Sequence, residues 1–264
     1  MSVQVLVSTI NQQKDDYSLL ERLNIQSEAV IVNQCDRDKT QVMEYKGNTI
    51  TWIDTMERGL SRSRNMAIRN ADAEICLLAD DDEILMSGYP QIIENAFCEN
   101  KEASVVRFRV KGIEKELKKY SPRKQKMGFL KSMKISSVEV AFRRKAIVDN
   151  ELEFESLLGT GAKFNHGEEN VFMFDCLKKG LEIVYVPITI ANVHIGKSSW
   201  FQGYNEEYFI SSGASYAAMS HSFSWILILQ FAVRRYGLYR KEMSFFGAIQ
   251  HMCAGRKKYL SVKR

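Results

Sequence analysis

The sequence predicts an α/β protein built on a largely parallel sheet. Three observations carry that expectation. Short apolar runs of strand length alternate with amphipathic stretches of helix length through the first 110 residues. Several of those runs break off directly into polar or acidic residues, as strands do at the ligand-binding edge of an open α/β sheet. Hydrophobic residues make up 45% of the 264-residue chain, enough for a sizeable core and too many for disorder.

The elements follow in order. Val3 to Ser8 is a β-branched strand entered almost at once. Tyr17 to Leu23 is helical, with Leu19, Leu20 and Leu23 on one face. Ala29 to Val32 and Ile50 to Ile53 are buried strands, and Leu60 to Arg69 is a helix. Glu74 to Leu78 is a strand, Pro90 to Phe97 a helix with proline in its first turn, and Ser104 to Val110 another strand. Lys111 to Met133 is basic and aperiodic and reads as a mobile loop over the site. Val138 to Phe142 is a further strand, Gly159-Thr160-Gly161 a turn, and Glu169 to Lys179 a helix stopped by Gly180. Ile183 to Val186 returns as a strand, and the chain after Ser212 is helical, aromatic and basic.

Composition narrows the function. The net charge is +5, with basic residues concentrated in 111–134 and 234–264. An anionic membrane surface, a phosphate-bearing substrate and a nucleic acid all fit that pattern. Cys35, Cys76, Cys98, Cys176 and Cys253 are widely spaced and form no CxxC pair, which speaks against a disulfide framework or zinc site and for a reducing cytoplasm. The N-terminus shows no signal peptide, and the longest apolar run, Trp225 to Val233, is about half of a membrane span. That run, with its flanking arginines, fits a membrane interface or a helix packed on the rest of the protein.

Three polar clusters carry the chemistry. Ile75 to Ala79 runs into Asp80-Asp81-Asp82-Glu83. Four adjacent carboxylates repel, and oxygen ligands suit a hard divalent cation, although a solvated acidic turn has the same composition. Asp80 and Asp82 share one face of an extended chain. Gly167-Glu168-Glu169-Asn170 opens a helix, where carboxylates either complement the helix dipole or serve as a general base. His194 ends an apolar run and precedes Gly196-Lys197-Ser198-Ser199; imidazole there is a structural group or a ligand for a transition ion such as Mn²⁺.

Taken in order, Val7-Ser8-Thr9, Asn33-Gln34-Cys35-Asp36, Gly59-Leu60-Ser61-Arg62-Ser63-Arg64-Asn65, the Asp80 to Asp82 run, Gly167-Glu168-Glu169 and the late His194 resemble the family 2 glycosyltransferases of the GT-A fold, of the bacterial polysaccharide type, over about residues 3 to 200. The resemblance implies a GT-A catalytic domain at 1–205, with a nucleotide-sugar half at about 1–110 and an acceptor half at about 135–205, and a helical, basic and aromatic extension at 206–264. It implies an inverting transfer from a nucleotide diphosphate sugar, a UDP-sugar by expectation, to a hydroxyl of a glycan or lipid-linked acceptor. It makes Asp82 a direct metal ligand, with Asp80 at the ribose or metal and His194 as a further ligand. Mn²⁺ or Mg²⁺ is the implied cofactor. Ser8, Thr9, Asp36, Arg64 and Asn65 match nucleotide-sugar-binding positions, although an Asp-Gly-Ser turn is usual where this chain has Asn33 to Arg37. Glu169 stands where the family's catalytic base is usually an aspartate, with Glu168 beside it.

The implied setting is the cytoplasm or the inner face of the membrane, with peripheral contact through the C-terminal extension and no nucleic-acid partner. The rival readings are a sugar nucleotidyltransferase and a non-catalytic nucleotide-binding module. A prenyl-diphosphate enzyme does not fit, because its acidic motif is helical and needs another acid where Ile84 and Leu85 stand.

Overall fold

The computed structural model describes residues 1–194, 201 and 203–263. The expected turn at Gly196-Lys197-Ser198-Ser199 lies outside the described residues. The chain divides into two compact units. The first holds Met1–Arg58, Arg62–Glu153 and Cys176–Lys197; the second holds Gly59–Ser61, Phe154–Asp175 and Ser198–Arg264.

The first unit is a mixed sheet covered by helices. Its strands are β1 (Val3–Ile10), β2 (Glu28–Gln34), β3 (Lys39–Tyr45), β4 (Asn48–Thr55), β5 (Ile75–Asp80), β6 (Glu83–Leu85), β7 (Ala103–Gly112), β8 (Gln125–Met127), β9 (Val140–Arg143) and β10 (Glu182–Val193). They lie in the order β3-β4-β2-β1-β5-β9-β7-β10-β6, with β8 also on β10. β1, β2, β4 and β5 run parallel, in keeping with the buried apolar runs at 5–7, 29–32 and 75–79. β9 enters antiparallel between β5 and β7. The helices of this unit are α1 (Ser18–Arg22), α2 (Leu60–Asn70), α3 (Tyr89–Glu99), α4 (Phe129–Ser132) and α5 (Arg144–Asp149), the first residues of α2 belonging to the second unit; α6 (Glu168–Lys178) starts in the second unit and ends in the first. Trp52, Tyr89, Phe97 and Phe108 are among the largest buried side chains.

Several elements depart from the sequence reading. β3 forms a hairpin with β4 across Lys46-Gly47 and alternates between half-buried and exposed residues, a pattern too weakly apolar to read as a strand. Val138 and Glu139 belong to a 3-10 turn, Ser137–Glu139, which a reciprocal Ser136 and Glu139 capping box fixes ahead of β9. The return strand β10 extends to Val193, and its pairing with β7 skips between Tyr185 and Thr189, where Pro187 cannot donate to the ladder.

The basic segment is also more ordered than a loop. It contains β8 and α4, and the buried Glu139 carboxylate anchors it. Glu139 accepts from Arg107 Nε at 2.7 Å and from the Tyr120 hydroxyl at 2.5 Å, and pairs with Lys118 Nζ at 2.7 Å. Arg109 donates to the Ser121 carbonyl at 2.6 Å. The segment is therefore fixed to the sheet by a carboxylate that would be prohibitively costly to bury without those donors.

The second unit is helical: α7 (Glu206–Met219), α8 (Ser224–Arg234), α9 (Tyr236–Tyr239) and α10 (Phe245–Val262). Asn205 caps α7 through the Tyr208 amide, and Ser244 caps α10 through the Gly247 amide. No helix among the described residues is long and apolar enough to cross a membrane. α7 and α10 meet backbone to backbone. A Cβ on Gly213 would stand 1.8 Å from the Met252 carbonyl oxygen, and one on Gly255 1.9 Å from that of Ile210.

The glycines at this crossing are therefore replaceable only by moving a helix. Gly213→Ala should cost at least ~2 kcal/mol, read as a lowered midpoint in denaturant unfolding. Gly237→Ala, whose added methyl meets nothing within 4 Å, is the control and should leave stability level or slightly raised.

Candidate functional site

The site in the first unit forms where parallel strands end. The β1–β5 register sets Ser8 beside Asp80, so the polar ends of two buried strands lie side by side. Thr9 Oγ1 donates to Asp81 Oδ2 at 2.6 Å and accepts from Gln12 Nε2 at 2.7 Å. Ser63, one turn into α2, donates to Ser8 Oγ at 2.9 Å. From the same helix Arg64, buried to 2% exposure, reaches both Asp80 oxygens at 3.0 and 3.2 Å and Ser137 Oγ at 2.7 Å. Arg64 thus answers the charge of Asp80. Asn65, on the next position of α2, is buried and lines a cleft with Ile68, Arg69 and Arg144.

The acids of the cluster separate by environment. Glu83 is buried, and its Oε1 accepts from the Asp80 amide at 2.7 Å, closing the turn between β5 and β6. Its Oε2 has no hydrogen-bond partner among the described residues. Burial, then the neighbouring Asp80, pushes the Glu83 carboxyl well above the usual range. Asp82 is raised to about 6, by burial first and then by Asp80 and Asp81. β6 pairs antiparallel with the end of β10, and the His194 amide donates to the Asp82 carbonyl at 3.0 Å. The chain thereby brings His194 next to the acidic turn. The imidazole Nδ1 lies 2.8 Å from Glu114 Oε1, a carboxylate contact of the kind that orients metal-binding histidines.

This donor set fits a divalent cation in one respect: Asp80, Asp81 and Asp82 place like charges side by side at one turn, and a cation would relieve their repulsion. Among the described residues no three His, Cys, Asp or Glu side chains converge as a ready ligand set. An ion there would need oxygens from elsewhere, as Mg²⁺ and Mn²⁺ commonly take from substrate phosphates.

Asp36 stands apart from the other strand-end residues. Its side chain is 98% exposed and pairs with Arg58 at 2.7 Å. The structure builds a different carboxylate into the neighbouring strand ends. Asp54, at the end of β4, accepts from Asn33 at 2.6 Å, from Trp52 Nε1 at 3.1 Å and from Arg37 at 2.6 and 3.0 Å. Burial alone would raise the Asp54 pKa, but the bonds from Arg37, Asn33 and Trp52 outweigh it and hold the group ionised below its usual range. The sequence carried a signal for this residue: Asp54 follows Ile50 to Ile53 as Asp80 follows its own apolar run. Glu114 and Glu139 gave no such signal, being acids within or near a basic stretch.

The second unit holds the other two acids, at the start of α6. Glu168 is buried, and a Cβ on Gly159 would lie 3.2 Å from both its Cδ and Ser61 Oγ. Ser61 Oγ donates to the Leu158 carbonyl at 2.7 Å, and the Leu60 amide to that of Thr160 at 3.0 Å. The Gly159-Thr160-Gly161 turn thus packs around Glu168, while Glu169 is half-exposed. His166 precedes this pair, with Nε2 3.0 Å from Ser212 Oγ and its ring stacked on Tyr208 at 4.7 Å.

Burial lowers the His166 pKa to about 4. Folding therefore favours the neutral ring. The native state keeps its full stability above about pH 6.5 and loses it as the pH falls toward 4, where the unfolded chain binds a proton that the folded chain does not. His166→Gln should flatten the stability profile in that window alone, measured by chemical denaturation at a series of pH values.

The family model for glycosyl transferase family 2 matches residues 5–152, more than half of the chain. A poly(ribitol-phosphate) beta-N-acetylglucosaminyltransferase, TarS, of Staphylococcus aureus strain Mu50 is 27% identical over 126 residues, which cover 43% of this chain and 22% of the relative. The TarS of strain MW2 matches over the same extent. The chain thus spans about a fifth of the length of the curated relatives it matches. The crystal structure of S. aureus TarS residues 1–349 superposes with a TM-score of 0.61 at 15% identity, covering 92% of this chain and 74% of that one. The same TarS fragment in complex with UDP-GlcNAc gives 0.62 at 16% identity over the same shares. The likeness in structure establishes a GT-A fold, and the match to the family model establishes the family: this chain belongs to glycosyl transferase family 2.

Proposed function

We propose that the protein transfers a sugar from a nucleotide diphosphate sugar to an acceptor hydroxyl, with inversion at the anomeric carbon. The observation that carries this reading is the grouping of Asp80, Asp81 and Asp82 at the end of β5 beside Ser8 and Thr9 of β1, in a chain of this family. UDP-GlcNAc is the first donor to test, because TarS structures contain UDP and UDP-GlcNAc.

Each residue has a task in this reading. Ser8 and Thr9 line the nucleotide pocket. Arg64 fixes Asp80 for the ribose or the ion. Asp80 and Asp82, with His194, would hold Mn²⁺ or Mg²⁺, and the ion would offset the charge developing on the leaving diphosphate. Glu169 accepts the proton of the attacking hydroxyl, and its half-exposed position suits a group that meets an acceptor. Glu168, buried against the Gly159 turn, holds the loop that presents Glu169. Asp36 is exposed and paired with Arg58, so it would meet a bound nucleotide only at its rim. The acceptor is a glycan or a lipid-linked glycan. The relative TarS acts on a poly(ribitol phosphate), and the nine Lys and Arg residues of 111–134 would favour a similarly anionic acceptor here.

Asp82→Asn and Glu169→Gln separate the two halves of this mechanism. Asp82→Asn should remove the Mn²⁺-dependent increase in melting temperature with UDP. Glu169→Gln should keep that increase and lower kcat by roughly 10²- to 10⁴-fold. The product assay decides between classes. Release of UDP supports transfer; release of pyrophosphate would identify a nucleotidyltransferase; binding without turnover in any donor screen would leave a nucleotide-binding module.

A further inference from the structure

The helical unit carries a surface that the proposed chemistry does not use. α8 is apolar on two sides. Ser224, Leu227, Ile228 and Ala232 face inward and are buried. Trp225, Ile226, Leu229 and Val233 form a second stripe at helical spacing, and they are 51%, 62%, 56% and 59% exposed. Phe223, just before the helix, is 65% exposed. A stripe of large apolar side chains on one helix exceeds the scattered exposure that a surface normally carries.

Charge indicates what covers it. Residues 221–264 contain nine Lys and Arg and a single acid, Glu242. The remainder of the chain is net acidic, so the whole basic surplus resides in this segment. Arg234 and Arg235 are exposed at the end of α8, and Arg240 and Lys241 follow within two turns. Arg256 lies over the Trp225 ring at 4.5 Å, keeping a cation at the opposite end of the stripe. α8 spans 11 residues, too few to cross a bilayer and suited to lie along its surface.

We propose that the outer face of α8 docks on an anionic lipid bilayer. Trp225, Ile226, Leu229 and Val233 enter the headgroup–acyl boundary, while Arg234, Arg235, Arg240 and Lys241 lie at the level of the lipid phosphates. An acidic protein partner would answer the cations alone, and a second copy of this chain would bring a second set of like charges to the same face. A bilayer with anionic headgroups answers both the stripe and its rim. This assignment does not depend on the donor, the metal or the transfer reaction.

Vesicle flotation of the full chain, without any nucleotide, tests it. The protein should float with phosphatidylcholine vesicles containing phosphatidylglycerol, less so as salt rises, and should not float with phosphatidylcholine alone. Ile226→Ser/Leu229→Ser/Val233→Ser should weaken the partition at least about tenfold, and Arg234→Glu/Arg235→Glu similarly. All five positions are exposed, and an unchanged melting temperature verifies the fold of each variant. Should a variant fail to fold, quenching of wild-type tryptophan fluorescence by brominated phosphatidylglycerol, lost in Trp225→Phe, supports the same contact. Failure of the wild type to float with either vesicle overturns the proposal. So does flotation undiminished in the serine variant, or a dimer in sedimentation equilibrium that this variant dissociates.

Discussion

Four carboxylates at the end of a buried strand repel one another, and much of the first unit is arranged around that repulsion. Three of the four acids are answered by a named donor. Arg64 comes from α2 to Asp80, Thr9 from β1 to Asp81, and the Asp80 amide turns back on Glu83. These contacts fix the ends of β1 and β5, the start of α2 and the turn into β6 relative to one another. At Asp82, burial first and then the charges of Asp80 and Asp81 disfavour the ionised carboxylate. A group whose charge the fold does not neutralise is where a cationic ligand gains most.

What could be read from the sequence was local. Val3 to Ser8 and Ala29 to Val32 are apolar and β-branched, and the run into Asp80 is apolar, all of strand length and bounded by polar residues, so pattern alone identifies them as strands. Their parallel order follows from the helices between them. What escaped were contacts that depend on pairing far along the chain. β6 is three residues long and becomes a strand only because β10 lies beside it. β9 sits antiparallel between β5 and β7, which no local pattern announces. β3 is an edge strand with little apolar content.

The acids illustrate the same limit. Asp80 to Glu83 draw attention because they are adjacent. Asp54 escapes because a single acid after a strand is common, and only the folded arrangement collects Asn33, Trp52 and Arg37 around it. Glu139 is the sharper case. In the sequence it is one acid in an apolar strand-like run. In the fold it is the buried counter-charge to Arg107 and Lys118, and the reason why a segment with nine cations lies against the sheet. Composition suggested a loop that covers the site by moving. A carboxylate with no exposed surface, met by Arg107, Tyr120, Lys118 and the Ser136 amide, together with the pairing of β8 on β10, describes a segment pinned to the sheet, with Glu114 touching His194.

The helical unit shows why periodicity could not separate its two readings. Trp225 to Val233 is apolar nearly all round, which suits a buried helix and an interfacial one alike. In the fold both apply, to opposite faces. Leu227, Ile228 and Ala232 pack inward while Ile226, Leu229 and Val233 remain in solvent. The inward face is supported by a crossing of α7 and α10 so close that Gly213 and Gly255 leave no space for a methyl group. Such a crossing needs no outward apolar residue for its stability. Beyond the Arg256 contact on Trp225, the outward stripe remains in solvent and increases the tendency of this unit to associate, and the cations at its ends, Arg234, Arg235 and Arg256, determine with what.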